Sequence, residues 1–482
     1  MAKRSASKNT KQSGLGFFRF RELPNGKTVV TNDAGEYAIL DKADFDLLAD
    51  GRLDESNKNY LALKGMGCLG GDTPPASAVE NFRRRNMFIF QGPLLFIVVP
   101  TLRCNMKCIY CHASARGAKD FAFDMSIATA KRVVDTIFDS PGINIGIELQ
   151  GGEPLLNWEV VKFISNYAIE RNKMFKKNLL LTMVSNLSSI DDEKLDFLVS
   201  RKVGISTSLD GPAFLHNKNR GGGFDKLVKN LKKVAARYGT EFERYSPGAL
   251  TTVTRQSLPY PKEIVDTFVE LGIEAVHLRH YNPIGGAHAA AGEVGYSPRE
   301  FLDFYEEALD YIIDLNKKGT MIIDRTAWLF LQKILTGFDP NFMDLRSPCG
   351  AGIGQIAFDY DGGVYTCDEG RMLASLGDAS FRMGSVHENS YDQLVGAEIV
   401  KQVCLASILD GVPHCCDCAY KPYCGVCPLL NYVEEGSLFA KIPQNRRHII
   451  NQGVLDLIFT KLQDESAASV FVSWVERGIN AV

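Results

Sequence analysis

"PLLFIVVPTLRCNMKCIYC", Pro93–Cys111, joins two patterns that together decide the fold. Its first half, "PLLFIVVPT", is a continuous apolar run, the composition of a strand buried on both faces. Its second half places Cys104, Cys108 and Cys111 within eight positions, with no fourth cysteine nearby. Similar runs recur downstream: "INIGIELQ", "NLLLTMVSN", "VGISTSLD", "GALTTVTR" and "AVHLRHYNP". Between them lie amphipathic stretches such as "SIATAKRVVDTIFD" and "FDKLVKNLKKVAARYG". Repeated strand–helix units of this kind predict a parallel sheet or barrel of about six strands. In such barrels the chemistry sits at the carboxyl ends of the strands, so the thiolates are expected in a loop at the barrel mouth.

Soft thiolates select zinc or iron–sulfur clusters. A structural zinc site usually completes four protein ligands, and here a distant one such as His112 would have to serve. Three thiolates on a [4Fe–4S] cube instead leave one iron open. "CNMKCIYC" resembles the CxxxCxΦC signature of radical S-adenosylmethionine (radical SAM) enzymes, with Tyr110 as the aromatic. The resemblance implies a partial (β/α)6 barrel in which SAM chelates the open iron and is split to methionine and a 5′-deoxyadenosyl radical. Three further strand ends resemble family motifs: "ELQGGEPLLNW" (Gly151, Gly152, Glu153), "TMVSN" (Ser185, Asn186) and "STSLDGPAFLHNKNR" (Ser208, Asp210, Arg220). Glycines let the backbone approach a ligand closely, and Glu153 can accept from an ammonium group. By the resemblance, Ser208 contacts SAM and Arg220 pairs with its carboxylate, for which a guanidinium fork is suited.

The chain is long enough for two or three domains: 482 residues, 45% apolar and 23% charged. A net charge of −3 gives no reason to expect nucleic acid or anionic membrane as a partner. No apolar run approaches the roughly 20 residues needed to span a bilayer. Residues 1–15 are polar and read as a disordered tail rather than an export signal. The expected compartment is the reducing cytoplasm, where twelve cysteines in local groups read as metal or catalytic sites. Cys68 alone, in "KGMGCLGG", reads as a plain buried thiol. Residues 16–80 read as a small α+β module with a hairpin turn at "PNGK", a following helix, and a "GDTPPASA" linker. Residues 93–297 form the expected barrel, 298–345 a helical linker, 346–445 a cysteine-rich domain and 446–482 a C-terminal helix.

"CGAGIGQIAFDYDGGVYTC" (Cys349, Cys367) and "CCDCAYKPYCGVC" (Cys415, Cys418, Cys424, Cys427) resemble the SPASM domain of peptide-modifying radical SAM enzymes, which holds auxiliary [4Fe–4S] clusters. By position, Cys349, Cys367 and Cys427 would serve one cluster, and Cys415, Cys418 and Cys424 a second. The last spacing is x2 rather than x3, and no cysteine follows Cys427; near the expected place stands "NRRHI" with Arg447 and His448. The second cluster would then take His448, Cys416 or Cys404, expose an iron, or be absent, and Cys404 would complete the first. A two-CxxC zinc ribbon is the competing reading of 415–427. Asp368 follows Cys367; in sulfatase-maturing relatives an Asp there takes the substrate proton, the alternative being a hydrogen-bonded loop carboxylate.

"TNDAGEYAIL", "LQGGEPLLNW" and "CAYKPYCGVCP" also resemble maturases of His-Xaa-Ser repeat peptide systems. The resemblance implies a ribosomal precursor peptide as substrate and an electron donor such as flavodoxin or ferredoxin. It implies abstraction of a peptide hydrogen and an oxidative crosslink or unsaturation, at a barrel mouth capped by the cysteine-rich domain. Residues 16–73 would present a strand edge to a leader peptide, or else serve only to pack. Formylglycine formation on a protein Cys or Ser, and an iron–sulfur carrier or peptide-binding scaffold without catalysis, are the competing functions.

Overall fold

A computed structural model describes residues 14–71, 75–239 and 248–478. The six predicted strands are present as β1 (Leu95–Thr101), β2 (Asn144–Gly151), β3 (Asn178–Ser185), β4 (Val203–Ser208), β5 (Gly248–Val253) and β6 (Leu278–His280). They lie side by side in chain order, every pair parallel. On β2, Ile145, Ile147 and Leu149 are buried in one core with Val133 and Ile137 of helix α1 (Ile127–Phe138) and Val161 and Ile164 of α2 (Trp158–Phe175). Each such side chain contributes about 1.5–3 kcal/mol on burial. The alternate residues Gly146, Glu148 and Gln150 therefore face the concave side, which becomes the barrel lumen. Helices α3 (Asp192–Ser200), α4 (Ala213–Arg220), α5 (Phe224–Gly239) and α6 (Pro261–Glu270) complete the outer layer.

The sheet does not stop at β1. Strand β7 (Gln355–Phe358), from the cysteine-rich region, pairs parallel with β1, and β8 (Gly363–Tyr365) and β9 (Arg382–Ser385) extend it antiparallel to nine strands. The register decides which end of the barrel this region covers. Ile97 pairs with Ala357, and Ala357 with Tyr365. Beyond Tyr365 the chain thus runs back toward the start of β1, the end opposite the Cys104 loop. The chain around Cys367 therefore starts from the amino end of β1, while the apolar cluster that holds Cys349, Cys367 and Cys427 also contains Ile284, in the turn after β6. "QIAF" is too short to declare this pairing on its own.

The N-terminal module is an antiparallel meander, Arg19–Glu22, Thr28–Thr31 and Tyr37–Leu40, with helices Lys42–Ala49, Tyr60–Gly65 and Ala76–Arg85. Its separate core holds Val30, Leu40, Leu48, Leu63 and Cys68, and burial pushes the Cys68 thiol up to about 12. The expected tail boundary at residue 15 is corrected: Leu15 bridges Leu69, and Gly70 N donates to Gly14 O at 2.8 Å. The rest of that tail, residues 1–13, and residues 72–74 of the "GDTPPASA" linker fall outside the described residues. The module docks on the C-terminal region. Arg21 Nε meets Asp456 Oδ1 at 2.7 Å, Thr31 Oγ1 donates to Ala419 O at 2.7 Å, and Tyr423 OH donates to Gly35 O at 2.9 Å.

The expected helical linker is broken. Helix α7 (Pro298–Lys317) ends near Gly319, at φ +92°, and Ile323–Asp324 pairs with Ala275–Val276 before a second helix, Arg325–Leu331. The expected C-terminal helix is α8 (Arg446–Lys461), followed by a helix the sequence reading did not separate, α9 (Glu465–Arg477), whose N-cap Asp464 accepts from Ala467 N. Among the described residues no helix is long and apolar enough to cross a membrane.

Candidate active site

The loop carrying the first three cysteines is anchored where β1 ends. Thr101 Oγ1 donates to Asp124 Oδ1 at 2.6 Å, and buried Arg103 clasps the same carboxylate through Nε (2.7 Å) and Nη2 (2.8 Å). Such a fork fixes direction as well as distance. Cys104, Cys108 and Cys111 follow as half-buried free thiols. Burial pushes Cys104 up to about 12 and Cys108 up to about 11, the latter moderated by Arg220. A metal that binds them displaces those protons.

Helix α4 supports the loop from the side. Ile109 N donates to Asn219 O at 2.9 Å, and beside it a buried polar triad forms. Tyr110 OH donates to Asp210 Oδ2 at 2.6 Å, and Arg220 Nη2 to Asp210 Oδ1 at 3.0 Å. The Arg220 guanidinium also lies 5.3 Å from the Tyr110 ring centroid. Asp210 is wholly buried, so it stands behind Arg220 and orients it. Arg220 Nε is buried without a partner, an N–H free for an anion next to Cys108. Ser208, at the end of β4, is half-buried on the concave face.

The glycine pair admits the protein's own backbone. A Cβ on Gly151, at φ +133°, would stand 2.3 Å from Thr101 O, and one on Gly152 would stand 2.2 Å from Arg103 O. What approaches closely here is the cysteine loop itself, held by Gly152 N to Thr101 O (3.0 Å) and Glu153 N to Arg103 O (2.7 Å). The Glu153 carboxylate, fully buried, accepts from Ser185 Oγ (2.7 Å), Asn186 N (2.8 Å) and Leu155 N (3.2 Å). Desolvation pushes it up to about 7 despite these donors. Glu153 and Ser185 thus clip β2 to β3, while Asn186 Nδ2 reaches Asn105 Oδ1 at 2.9 Å and lies 3.9 Å from Cys104 Sγ.

Sequence reading missed the turn after β6. A Cβ on Gly285 (φ +63°) would stand 1.8 Å from His112 O, and one on Gly286 2.9 Å from Cys111 O, so "NPIGG" seats the cysteine loop from its far side. The glycine doublet was the available signal. His112 is enclosed there, its Nε2 without a partner, and burial pushes it down to about 4. Also unforeseen are the charges of the lumen. Glu148 accepts from Gln150 and, at 3.4 Å, from Thr182 Oγ1, and the charges of Arg325 and Asp368 act on it. Asp368, buried at the start of the Asp368–Ala374 helix, is paired with Arg371 Nε at 2.7 Å. The structure places it within electrostatic reach of both His112 and Glu148.

The later cysteines form two sets. Cys349, Cys367 and Cys427 share one buried apolar cluster with Phe381 and Leu429, and their charges act on one another. Cys415, Cys418 and Cys424 act on one another likewise. Cys404 lies on the helix Glu398–Ser407, where Arg346 acts on it. Around the expected position of the missing terminal cysteine, three α8 side chains divide. Arg447 faces the first set, Asn451 Nδ2 lies 3.6 Å from Cys424 Sγ of the second, and His448 is beside Arg21, His414 and Asp456. Among the described residues no three His, Cys, Asp or Glu side chains gather as a single ion requires. A cube takes its thiolates one to each iron.

Residues 98–242, which span β1 to α5 and carry this mouth, match the Radical SAM superfamily. They are a radical SAM domain. Domains of this family bind SAM and a [4Fe–4S] cluster. The three thiols at the mouth and the unpartnered Arg220 N–H fit that pair. The chain is 27% identical over 364 residues to the AdoMet-dependent heme synthase of Oleidesulfovibrio alaskensis, covering 71% of this chain and 84% of that protein. It is 22% identical over 336 residues to the cysteine-type anaerobic sulfatase-maturating enzyme of Clostridium novyi, covering 67% and 83%. Its fold matches Streptococcus suis SuiB bound to the precursor peptide SuiA, with TM-score 0.53 and 15% identity over 90% of this chain and 98% of that one.

Proposed function

We propose that this chain is a radical SAM maturase that abstracts hydrogen from a ribosomally made peptide and installs an oxidative modification such as a crosslink. The observation that carries the reading is a lumen with both groups in reach of it: the Cys104 loop with Arg220 at the carboxyl end of the strands, and Asp368, whose charge acts on both His112 and Glu148. When bound, the cluster and SAM at Cys104, Cys108 and Cys111 supply a 5′-deoxyadenosyl radical. Arg220, aimed by Asp210 and Tyr110, holds the SAM carboxylate, and Asn186 and Ser208 line the same mouth. A peptide side chain in the lumen then sits between the site of hydrogen abstraction and Asp368, which takes a proton from it. Cys349, Cys367 and Cys427, and Cys415, Cys418 and Cys424, would hold auxiliary [4Fe–4S] clusters, which would supply an acceptor for the second electron. The SuiB likeness over nearly the whole chain supports a precursor peptide as partner. The strand Tyr37–Leu40, paired on one side with Thr28–Thr31, is the edge a leader would extend.

A second reading is formylglycine formation on a protein Cys or Ser, favoured by buried Asp368 and by the sulfatase-maturating relative. Anaerobically reconstituted protein, SAM and dithionite are expected to give 5′-deoxyadenosine. None formed would overturn both readings. Co-expression with the short peptide encoded beside the gene is expected to give a product lighter by hydrogen in multiples of two. An unmodified peptide alongside formylglycine on a sulfatase peptide would transfer the conclusion to the second reading.

A further inference from the structure

We infer that Asp344 is the fourth ligand of the cluster at Cys349, Cys367 and Cys427; this rests on the auxiliary-cluster reading above. Three thiolates satisfy three irons of a cube, and the sequence offers this set no fourth cysteine at the family spacing. The structure puts a carboxylate there instead. Gly350 N donates to Met343 O at 2.8 Å, which brings Asp344 alongside Cys349. A Cβ on Gly425 would stand 2.7 Å from Asp344 O, so the segment leading to Cys427 is packed on the same residue. Met343 packs against the apolar cluster that contains all three cysteines. The Asp344 charge accordingly acts on both Cys349 and Cys427.

Its two oxygens are treated differently. Oδ2 accepts from Arg447 Nη2, a side chain on α8 that is itself enclosed. Oδ1 is buried and has no partner. A buried carboxylate oxygen without a donor is costly, and one whose charge reaches Cys349 and Cys427 is placed to complete a cluster lacking a ligand. Arg447 holds the carboxylate through Oδ2 and leaves Oδ1 unpaired, as ligating carboxylates are commonly held by an outer hydrogen bond. Oδ1 donates a lone pair to the iron that no thiolate takes. No bond breaks and no electron is transferred. Cys404, the ligand expected from the sequence, packs against the barrel core rather than within the apolar cluster that holds this set.

The test uses the full-length chain with Cys104, Cys108 and Cys111 changed to Ala, so that only auxiliary clusters contribute. It is reconstituted anaerobically, oxidised with ferricyanide, and read by electron paramagnetic resonance and redox titration. Asp344→Ala is expected to add a [3Fe–4S] signal equal to one cluster per chain, because an iron without a protein ligand is lost first. Asp344→Cys is expected to give no added signal and to shift one auxiliary midpoint potential downward, since thiolate donates more charge than carboxylate. If Asp344→Ala fails to hold iron at all, the potential of Asp344→Cys decides alone. Parent-like spectra and potentials in both variants would overturn the assignment. Absence of any iron–sulfur cluster in the parent background is a separate result, and it would overturn the auxiliary-cluster reading itself.

Discussion

Asp210→Asn tests whether the buried triad at the barrel mouth exists to manage one charge. In the apoprotein Asp210 is wholly buried and accepts from Arg220 at 3.0 Å, Tyr110 at 2.6 Å and Thr252 N at 3.4 Å. An Asn whose oxygen takes the Oδ2 place keeps the acceptor for Tyr110, but it turns its amide N–H groups toward Arg220 and Thr252 N and removes the carboxylate bonded to the enclosed guanidinium. Breaking a buried ion pair from one side costs about 3–5 kcal/mol, because the remaining charge is uncompensated. The Tyr110 ring face lends about 0.5–2 kcal/mol of cation–π attraction to parent and variant alike, so the expected loss stays at about 3–5 kcal/mol. Loading the protein with its cluster places anionic thiolates beside Arg220 and recovers part of that loss. Urea unfolding of Asp210→Asn, Arg220→Gln and the double variant, apo and loaded, measures both effects. The expected result is a coupling of at least about 2 kcal/mol in the apo cycle, smaller when loaded. Strict additivity, or equal losses in both states, would refute the reasoning.

Three other outcomes follow from single contacts. Asp324 caps the Arg325–Leu331 helix through Ala327 N (2.6 Å), accepts from Tyr305 OH (2.6 Å), and is pushed up to about 6 by burial. The folded chain then holds this proton at pH values where the unfolded chain has lost it, so stability falls as pH rises from about 4 through about 6, by up to about 3 kcal/mol. Asp324→Asn is expected to remove that slope, gaining on the parent from pH 4 to pH 7 in urea titrations; parallel profiles would count against it. Gly285→Ala puts a methyl 1.8 Å from His112 O at a positive φ, and is expected to displace the cysteine loop and lower retained iron by about one cluster per chain, measured after reconstitution. Asp368→Asn is expected to leave 5′-deoxyadenosine formation within about threefold of the parent while peptide product falls at least about tenfold, as a lost proton acceptor would.

The barrel was legible because its signals are local. Each strand is an apolar run long enough to stand alone, and the Cys104, Cys108, Cys111 spacing lies within a single loop. The residues near that loop were legible too, although their mutual contacts were not: Glu153 and Ser185 bond to each other, and Gly151 and Gly152 admit the cysteine loop. Apart from the cysteine sets, which the family resemblance grouped, what could not be read was the meeting of distant segments. Gly285 and Gly286 seat a loop some 170 residues earlier in the chain, Glu148 meets Asp368 across the lumen, and β7 joins β1 across the whole barrel. Strand pairing over such separations depends on tertiary packing, which four residues of β7 do not encode by themselves.

That one pairing also explains why the cysteine-rich region is fused to the barrel instead of tethered to it. A domain on a linker would place Asp368 only on average, whereas proton removal needs a fixed distance from the reacting atom. Because β7 hydrogen-bonds to β1 in register, Ile97 to Ala357 and Ala357 to Tyr365, the position of Cys367 and Asp368 is set by the same strand that ends in the Cys104 loop. The Cys104 loop and Asp368 are therefore referenced to one rigid element, β1, and a shift of register by one residue would turn the β7 side chains to the opposite face of the sheet. Gly354 O, which accepts from Leu94 N at 2.9 Å and Leu95 N at 3.1 Å, sets the start of that register. On the proposed function, this backbone contact sets where Asp368 stands relative to the Cys104 loop.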